Sequence, residues 1–259
     1  MYWTILYRFK APPHATIAPM LGETMGGLLA GGVGLIAYAV RGRSATWLAP
    51  SVWRGQRESR SIALTFDDGP SEATPRVLAV LADFGVRATF FQCGASVRRL
   101  PGIARDVVRA GHEIGNHSDT HAMLCFRTPG GIRDELFRAQ QTIAGVTGSR
   151  PTLFRAPYGV RWFGLRGAQQ ELGLQGVMWT VLGLDWKLDG DAVFRRLLKR
   201  TGPGAIICLH DGRRLDPNPD IQPTLDAIQR FIPAMLERGY YFQTTTELIF
   251  GKNRGPAAV

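Results

Sequence analysis

The chain contains little cysteine, and its few thiols are widely separated. Among 259 residues there are only Cys93, Cys125 and Cys208. An odd number of distant cysteines argues against a disulfide framework and against a Cys-ligated zinc site. The chain also lacks repeats and low-complexity tracts, and its 45% hydrophobic and 20% charged residues are ordinary for a globular protein. We therefore expect buried free thiols in one large domain or two small ones with an ample core.

The chain has fewer acidic than basic residues. The 21 Asp and Glu residues oppose 31 Lys and Arg residues, which gives a net charge of +10. Residues 1–60 hold seven basic and two acidic side chains, so they carry half of that excess. A basic protein can favour a wall polymer, a membrane surface or nucleic acid, although scattered arginines that only solvate the fold explain the charge equally well. No Arg/aromatic cluster and no nucleic-acid motif is present, so we expect no nucleic-acid partner.

The sequence has no apolar run of comfortable membrane-spanning length. Residues 25–40 are sixteen residues without a charge, but they include five glycines and lie at the short edge for a span. The tripeptide Ala37-Tyr38-Ala39 resembles a small-x-small signal-peptidase site, and Arg41 and Arg43 follow. An uncleaved anchor, a cleaved signal and a glycine-rich helix packed on the domain are all open. We favour export or anchoring at the cell envelope.

Short apolar runs alternate with amphipathic helical patterns from residue 61 onward. Glycine or proline marks several element ends, such as Gly85 after one helix and Pro101 at the start of another. The predicted strands are residues 62–66, 88–92, 112–116, 153–156, 176–181, 205–209 and 241–244. The predicted helices are residues 74–84, a stretch from Pro101 to before Gly111, and residues 132–143, 163–172, 191–199 and 223–238. Seven strands alternating with helices predict a parallel α/β barrel or a doubly wound sheet.

Clusters of polar residues follow the predicted strands at their C-terminal ends. The clusters are Asp67-Asp68, His117-Ser118-Asp119-Thr120-His121, Arg155-Ala156-Pro157-Tyr158-Gly159, Asp185-Trp186 and His210-Asp211-Gly212. In both candidate folds, catalytic groups belong at this edge of the sheet. The coincidence of five clusters predicts one active site there.

Two adjacent carboxylates and two spaced histidines predict a metal centre. Asp67 and Asp68 resist joint ionisation, and a bound cation removes that cost. His117 and His121 are four residues apart, so on a helical turn or a tight loop they face the same way. With Asp68 they supply two nitrogens and one oxygen, which is typical of a catalytic zinc with an open position. A solvated Asp-Asp turn and a chance H-x-x-x-H are the structural alternatives.

Three further residues complete a hydrolytic site. Asp67 is placed to take a proton from metal-bound water, and Arg155 could pair with it and keep it ionised. His210 could donate a proton to a leaving amine. A base, an acid and a metal between them predict a hydrolase of amides or esters.

The motifs TFDDGP, HSDTH, RAPYG, LDW and LHDG stand in this order within about residues 60–250. Together they resemble the polysaccharide deacetylases of the NodB-homology type, carbohydrate esterase family four. The resemblance implies an irregular (β/α) barrel with about seven parallel strands. It implies removal of N-acetyl groups from a chitin-like, poly-N-acetylglucosamine or peptidoglycan chain. It also implies one divalent metal ion, zinc first, with cobalt, manganese or nickel as alternatives.

The resemblance also implies a role for each of nine residues. The general base is Asp67, the acid is His210, Arg155 is the partner of the base, and the metal ligands are Asp68, His117 and His121. The backbone N–H of Tyr158 would help stabilise the oxyanion, while Trp186 and Leu209 would line the acetyl pocket. One departure concerns the carboxylate that supports the acid histidine, which the family pattern places four residues before the tryptophan. That position is Leu182 here, so either another carboxylate such as Asp185 supports His210 or the acid is tuned differently.

These observations predict a chain organisation and leave alternatives for function. We expect a signal- or anchor-like segment at 1–45, a basic linker at 46–60, the deacetylase domain at 61–250 and a tail at 251–259. A deformylase or deacylase of a lipid-linked sugar would suit the hydrophobic, basic N-terminal region. A catalytically weak carbohydrate-binding homologue is a further alternative. A two-carboxylate glycosidase would leave His117 and His121 without a purpose.

Overall fold

The computed structural model describes residues 31–251 of the chain. These residues divide into two compact units, with the division between Tyr38 and Ala39. Helix α1 covers residues 31–41, and its Val33 and Ile36 side chains are more than half exposed. Within the described range, no helix has the length and apolar character needed to cross a membrane. Residues 1–30 of the predicted signal or anchor segment and residues 252–259 of the predicted tail lie outside the described residues, so export or anchoring stays a prediction.

The second unit is built on a curled sheet of nine strands in the part of the chain described, with parallel pairing throughout. The strands are β1 (Ser51–Val52), β2 (Ser61–Asp67), β3 (Thr89–Gln92), β4 (Glu113–Asn116), β5 (Leu153–Phe154), β6 (Gln175–Val177), β7 (Val181–Leu182), β8 (Ile206–His210) and β9 (Tyr241–Phe242). Their order is β1-β6-β5-β4-β3-β2-β8-β7, and β9 pairs with β2. All C-terminal strand ends on this path therefore lie at one edge.

Backbone hydrogen bonds join the two ends of the curled sheet. Arg54, just after β1, forms an antiparallel bridge with Ala205, just before β8. The Gly55 amide donates to the Gly204 carbonyl at 2.8 Å. The sheet is thus the irregular α/β barrel that the motif resemblance implied.

Strand β2 shows how sequence places the site. Every residue of β2 is buried, as expected for a parallel strand covered on both faces. Successive side chains alternate between faces, so Ile62, Leu64 and Phe66 pack into the outer core beneath the helices. Thr65 and Asp67 face the barrel interior. The polar end of β2 therefore opens into the barrel.

Helices cover the outer face of the sheet. They are α2 (Thr74–Asp83), α3 (Gly94–Arg99), α4 (Pro101–Arg109), α5 (Pro129–Thr147), α6 (Leu165–Leu172), α7 (Gly190–Arg200), α8 (Gln222–Glu237) and α9 (Thr245–Phe250), with 3₁₀ turns at Leu124–Phe126 and Pro157–Gly159. The six predicted helices are present. Helices α3 and α9 were not predicted, because they have six residues each and are too short to show helical periodicity.

The start of the folded domain differs from the prediction. Residues 46–60 were expected to be a linker, but they contain β1, which pairs with β6. Ala45 and Ala49 are buried. The buried Arg161 guanidinium donates to the Ala45 and Gly42 carbonyls and so fixes this segment against the domain. The compact unit begins at Ala39 rather than at residue 61.

Candidate active site

The five polar clusters meet around one cavity at the C-terminal edge of the sheet. Asp67 ends β2 and His210 ends β8, and the two residues are register partners in the parallel pair. The cavity has a volume of about 580 Å³. Its lining includes Asp67, Asp68, His117, His121, Tyr158, Trp186 and His210. Seven of the nine predicted site residues therefore line one cavity.

Asp68, His117 and His121 form a compact buried cluster. Asp68 Oδ1 lies 3.2 Å from His117 Nε2 and 2.9 Å from His121 Nε2. His117 Nδ1 lies 2.8 Å from the Arg155 carbonyl oxygen, which can only accept, so Nδ1 donates to it and Nε2 is the nitrogen that faces Asp68. Burial alone would raise the pKa of Asp68, but hydrogen bonds from the two histidines hold it well below its usual range. Two imidazoles and a carboxylate that converge in this way fit a divalent metal ion.

The loops that carry these ligands have backbone conformations uncommon for residues other than glycine. Asp68 has a φ of 73°, and Ser118 and His121 have φ values of 66° and 55°. Such conformations persist only where neighbouring groups hold them. Glu135 of α5 does this for the histidine loop, because its carboxylate accepts the Asp119 and Thr120 amides at 3.1 and 2.9 Å. The carboxylate also accepts the Thr120 hydroxyl at 2.8 Å.

Arg155 orients Asp67. The buried guanidinium donates from Nη1 to Asp67 Oδ1 at 2.6 Å and to Thr65 Oγ1 at 2.6 Å. It lies over the Phe91 ring, with Cζ 4.1 Å from the ring centroid. The other carboxylate oxygen, Oδ2, accepts a hydrogen bond from the Cys208 thiol at 3.4 Å. Arg155 therefore engages Oδ1, and Oδ2, which accepts only the weak thiol donor, is the oxygen available to a reacting group.

Asp185 is the carboxylate partner of His210. Its Oδ1 lies 2.9 Å from His210 Nδ1, and its Oδ2 accepts the His210 amide at 2.8 Å and the Thr224 hydroxyl at 2.7 Å. Burial opposes the charged imidazole, but attraction to Asp185 outweighs it and raises the pKa of His210 to about 10. Leu182 lines the cavity and makes no such contact. The structure thus favours Asp185 as the supporting carboxylate, and an aspartate at position 182 is not needed.

Of the three residues predicted to contact substrate, Tyr158 and Trp186 line the cavity and Leu209 does not. Tyr158 lies beside His121, with ring centroids 4.6 Å apart, and has a φ of 58°. Trp186 is 44% exposed, and its ring stands edge-on to His210. Leu209 is fully buried in the outer core and does not line the cavity, so its predicted role is wrong. Alternation along β8 turns Cys208 and His210 inward and Leu209 outward.

Several residues that shape the site were not predicted from the sequence. Glu135 occupies the same helix stripe as Ile132, Leu136 and Ala139, all buried, so its place in the helical repeat could have revealed it. Cys208 could have been found from strand alternation before His210. Thr224, which bonds Asp185 from α8, gave no local signal because it is distant in sequence.

The arrangement combines three chemical functions. The Asp68–His117–His121 cluster, the Asp67 carboxylate and the His210 imidazole all border one cavity. Such a set can activate water, accept its proton and protonate a leaving group. It suits hydrolysis of an amide or ester.

Comparison with known proteins gives the same assignment. The polysaccharide deacetylase profile matches residues 54–177. A chitooligosaccharide deacetylase from Bradyrhizobium is 36% identical over 199 residues, which cover 73% of this chain and 91% of that protein. The peptidoglycan-N-acetylmuramic acid deacetylase PdaA from Bacillus subtilis is 32% identical over 204 residues, 76% of this chain and 74% of that protein.

A solved structure shows that this fold alone does not ensure activity. A carbohydrate esterase family four pseudoenzyme from Bacillus anthracis is similar with a TM-score of 0.73 and 29% identity. The match covers 81% of this chain and 72% of that one. Any activity must therefore be argued from the site residues. By sequence and structure, the chain belongs to the polysaccharide deacetylase family, the NodB-homology type of carbohydrate esterase family four.

Proposed function

We propose that this chain is a metal-dependent N-deacetylase of N-acetylglucosamine-type residues in a polysaccharide. One observation carries the proposal: the Asp68–His117–His121 cluster shares its cavity with Asp67 and His210, each already oriented by a buried partner. The named relatives support the reaction class, because they are deacetylases of chitooligosaccharides and of peptidoglycan. Candidate substrates are a chitin-like chain, poly-N-acetylglucosamine and peptidoglycan.

The cavity residues divide the chemistry among them. A divalent ion held by Asp68, His117 and His121, zinc first, would polarise the acetyl carbonyl and acidify a water molecule. Asp67 Oδ2 takes a proton from the attacking water while Arg155 holds Oδ1. The Tyr158 N–H stabilises the developing oxyanion. His210 donates its proton to the leaving amine, and Asp185 stabilises the imidazolium beforehand, so the products are acetate and a free amine.

Acetate release tests the proposal. The chain is chelated, assayed with N-acetylglucosamine oligomers, and assayed again after one equivalent of zinc is restored. We expect release only with metal, because the three ligands have no other role in the cavity. Zinc bound at one per chain without release from any acetylated oligomer or from peptidoglycan would contradict the proposal. Glycan binding without turnover would instead support a binding homologue.

A lipid-linked sugar is the second candidate substrate, and arginines at the cavity favour it. Arg41, Arg213 and Arg214 all line the cavity, beside a single additional carboxylate from Asp216. Such a cluster suits a phosphate group of the kind that joins a sugar to a lipid carrier. Activity on a lipid-linked N-acylated sugar that exceeds activity on soluble oligomers would favour this candidate.

We also propose export or anchoring at the cell envelope. The support is the uncharged run at residues 25–40 with arginines on its flank. Fractionation of cells that express the full chain and residues 39–259 would test it. Equal recovery of both forms in the cytoplasm would contradict it.

A further inference from the structure

Cys208 lies in the active-site cavity, yet the deacetylation chemistry gives it no task. It is buried on β8, with its thiol 3.4 Å from Asp67 Oδ2. Burial raises the pKa of this thiol well above its usual range, so it stays protonated in the absence of a metal. Cys208 is thus a soft ligand placed between the groups that act as base and acid.

The thiol is one of three ligand atoms that converge. A carboxylate oxygen of Asp67, the Cys208 sulfur and an imidazole nitrogen of His210 all lie within 4.8 Å of one another. Zinc bonds of about 2.0–2.3 Å place tetrahedral ligand atoms about 3.3–3.8 Å apart, and the sulfur–oxygen pair, at 3.4 Å, already has such a separation. None of the three residues belongs to the Asp68–His117–His121 cluster, so the two sets do not compete for ligands.

Buried partners already orient two of these ligands. Asp185 engages His210 Nδ1, which leaves Nε2 as the nitrogen able to bind an ion. Arg155 engages Asp67 Oδ1, which leaves Oδ2. A carboxylate behind a histidine is the usual support of a zinc-bound imidazole.

We propose that Asp67, Cys208 and His210 form a second, inhibitory zinc site. Zinc binds with loss of one proton from the thiol and one from the imidazolium, and no oxidation or reduction is involved. Zinc then occupies both the oxygen that would accept a proton from water and the nitrogen that would protonate the amine. Occupancy of this site therefore stops turnover while the first ion stays in place. The scarcity of cysteine excludes sites built from several thiolates, but it does not exclude this mixed site.

Cobalt reports on the thiolate directly. The untagged full-length chain is freed of metal and titrated with Co²⁺, and near-ultraviolet absorption from thiolate-to-cobalt charge transfer is recorded. We expect the absorption to grow with the second equivalent rather than the first, and to vanish in Cys208→Ser. Cys125→Ser, which removes a partly exposed thiol outside the cavity, should keep it. Retention of the first equivalent shows that a variant is folded, and Cys208→Ala provides a second variant.

Inhibition supplies an independent readout. For each variant, activity at excess zinc is divided by its own activity at one equivalent, so changes in basal rate cancel. The zinc concentration for half inhibition should rise at least about tenfold in Cys208→Ser, since loss of even a supporting contact commonly weakens metal binding 10–100-fold. A single bound ion in the unmodified chain, a second ion without the thiolate absorption, or unchanged inhibition in Cys208→Ser would overturn the proposal. The cobalt spectrum decides it even if the chain proves not to be a deacetylase.

Discussion

Individual residues in the cavity work as oriented pairs. Arg155 holds Asp67, Asp185 holds His210, and the Arg155 carbonyl fixes the ring of His117. In each pair one group faces the cavity and the other is buried behind it. A change in the buried member should therefore alter the properties of the group that faces the cavity without removing that group.

Replacement of Asp67, the proposed base, should separate metal binding from turnover. Asp67→Asn removes the proton acceptor but keeps the shape of the side chain and leaves Asp68, His117 and His121 intact. We expect one bound metal per chain and a fall in kcat of about 10²–10⁴-fold, the usual contribution of a general base. Acetate release and metal analysis on the same sample measure both. Near-normal turnover would remove Asp67 as the base.

Loss of Asp185, the carboxylate partner of the proposed acid His210, should change the pH dependence of kcat. Asp185→Asn removes the charge that raises the pKa of His210, so that pKa falls. Because the acid must be protonated, the alkaline limb of kcat should move to lower pH, and kcat should fall about 10²-fold. Leu182→Asp is the matched comparison and should not restore activity to Asp185→Asn. Recovery in the double variant would show that position 182, rather than 185, supports the acid.

At the scale of secondary-structure elements, the sequence pattern predicted the helices and strands that have a regular hydrophobic repeat. It did not predict very short elements or contacts between residues distant in sequence. Strand β2 was predicted because an apolar run ends at Gly69-Pro70. The polar residues that follow the strands indicated that the candidate active site lies at the C-terminal edge of the sheet. The predicted strand at 176–181 is instead β6 and β7, separated by three residues whose backbone bonds reach Val52 and Ile206. No local pattern encodes such partners. For the same reason, the hydrogen bond from the Thr224 hydroxyl to Asp185 was not predicted.

Helix α5 should contribute to metal affinity although it carries no ligand. Glu135→Ala removes the carboxylate that accepts two amides and a hydroxyl from the histidine loop, so the loop relaxes from its left-handed conformations. We expect about a 10–100-fold loss of zinc affinity, with Glu135→Gln intermediate because it keeps an acceptor oxygen. Competition with a chromogenic chelator measures it. Glu171→Ala, which breaks an exposed ion pair with Arg133, is the control. Equal affinity in Glu135→Ala and Glu171→Ala would contradict this role.

For the whole molecule, acid stability should depend on a histidine outside the active site. Burial, with Arg87 nearby, lowers the pKa of His112 from its ordinary 6.5 to about 4. Its Nδ1 accepts the Ala88 amide at 3.2 Å, which requires the neutral ring. The unfolded chain therefore binds the proton first, and this contribution to stability is lost as pH falls from about 6.5 to 4.

The matched variant is His112→Asn, which keeps an acceptor near Nδ1 but cannot titrate. Urea unfolding of chelated protein between pH 4 and 7 should give a shallower loss of unfolding free energy for the variant. The slopes of unfolding free energy against pH are compared, rather than the free energies themselves, because the variant also loses ring packing against Phe90. Parallel slopes would show that His112 is not the group responsible.

The boundary of the folded unit gives the last prediction. Residues 39–259 keep β1 and the carbonyls of Gly42 and Ala45 that bind Arg161, whereas residues 61–259 lose them all. Each hydrogen bond to a charged group contributes about 1.5–3 kcal/mol, and 1 kcal/mol corresponds to about 2–4 °C in a domain of this size. Loss of two such bonds alone should therefore lower Tm by about 6 °C or more in the shorter chain, while residues 39–259 should melt with the full-length protein. Calorimetry of the three chains, each chelated, measures this. Equal Tm values for residues 39–259 and 61–259 would show that the segment before residue 61 adds nothing to the barrel, as a linker would.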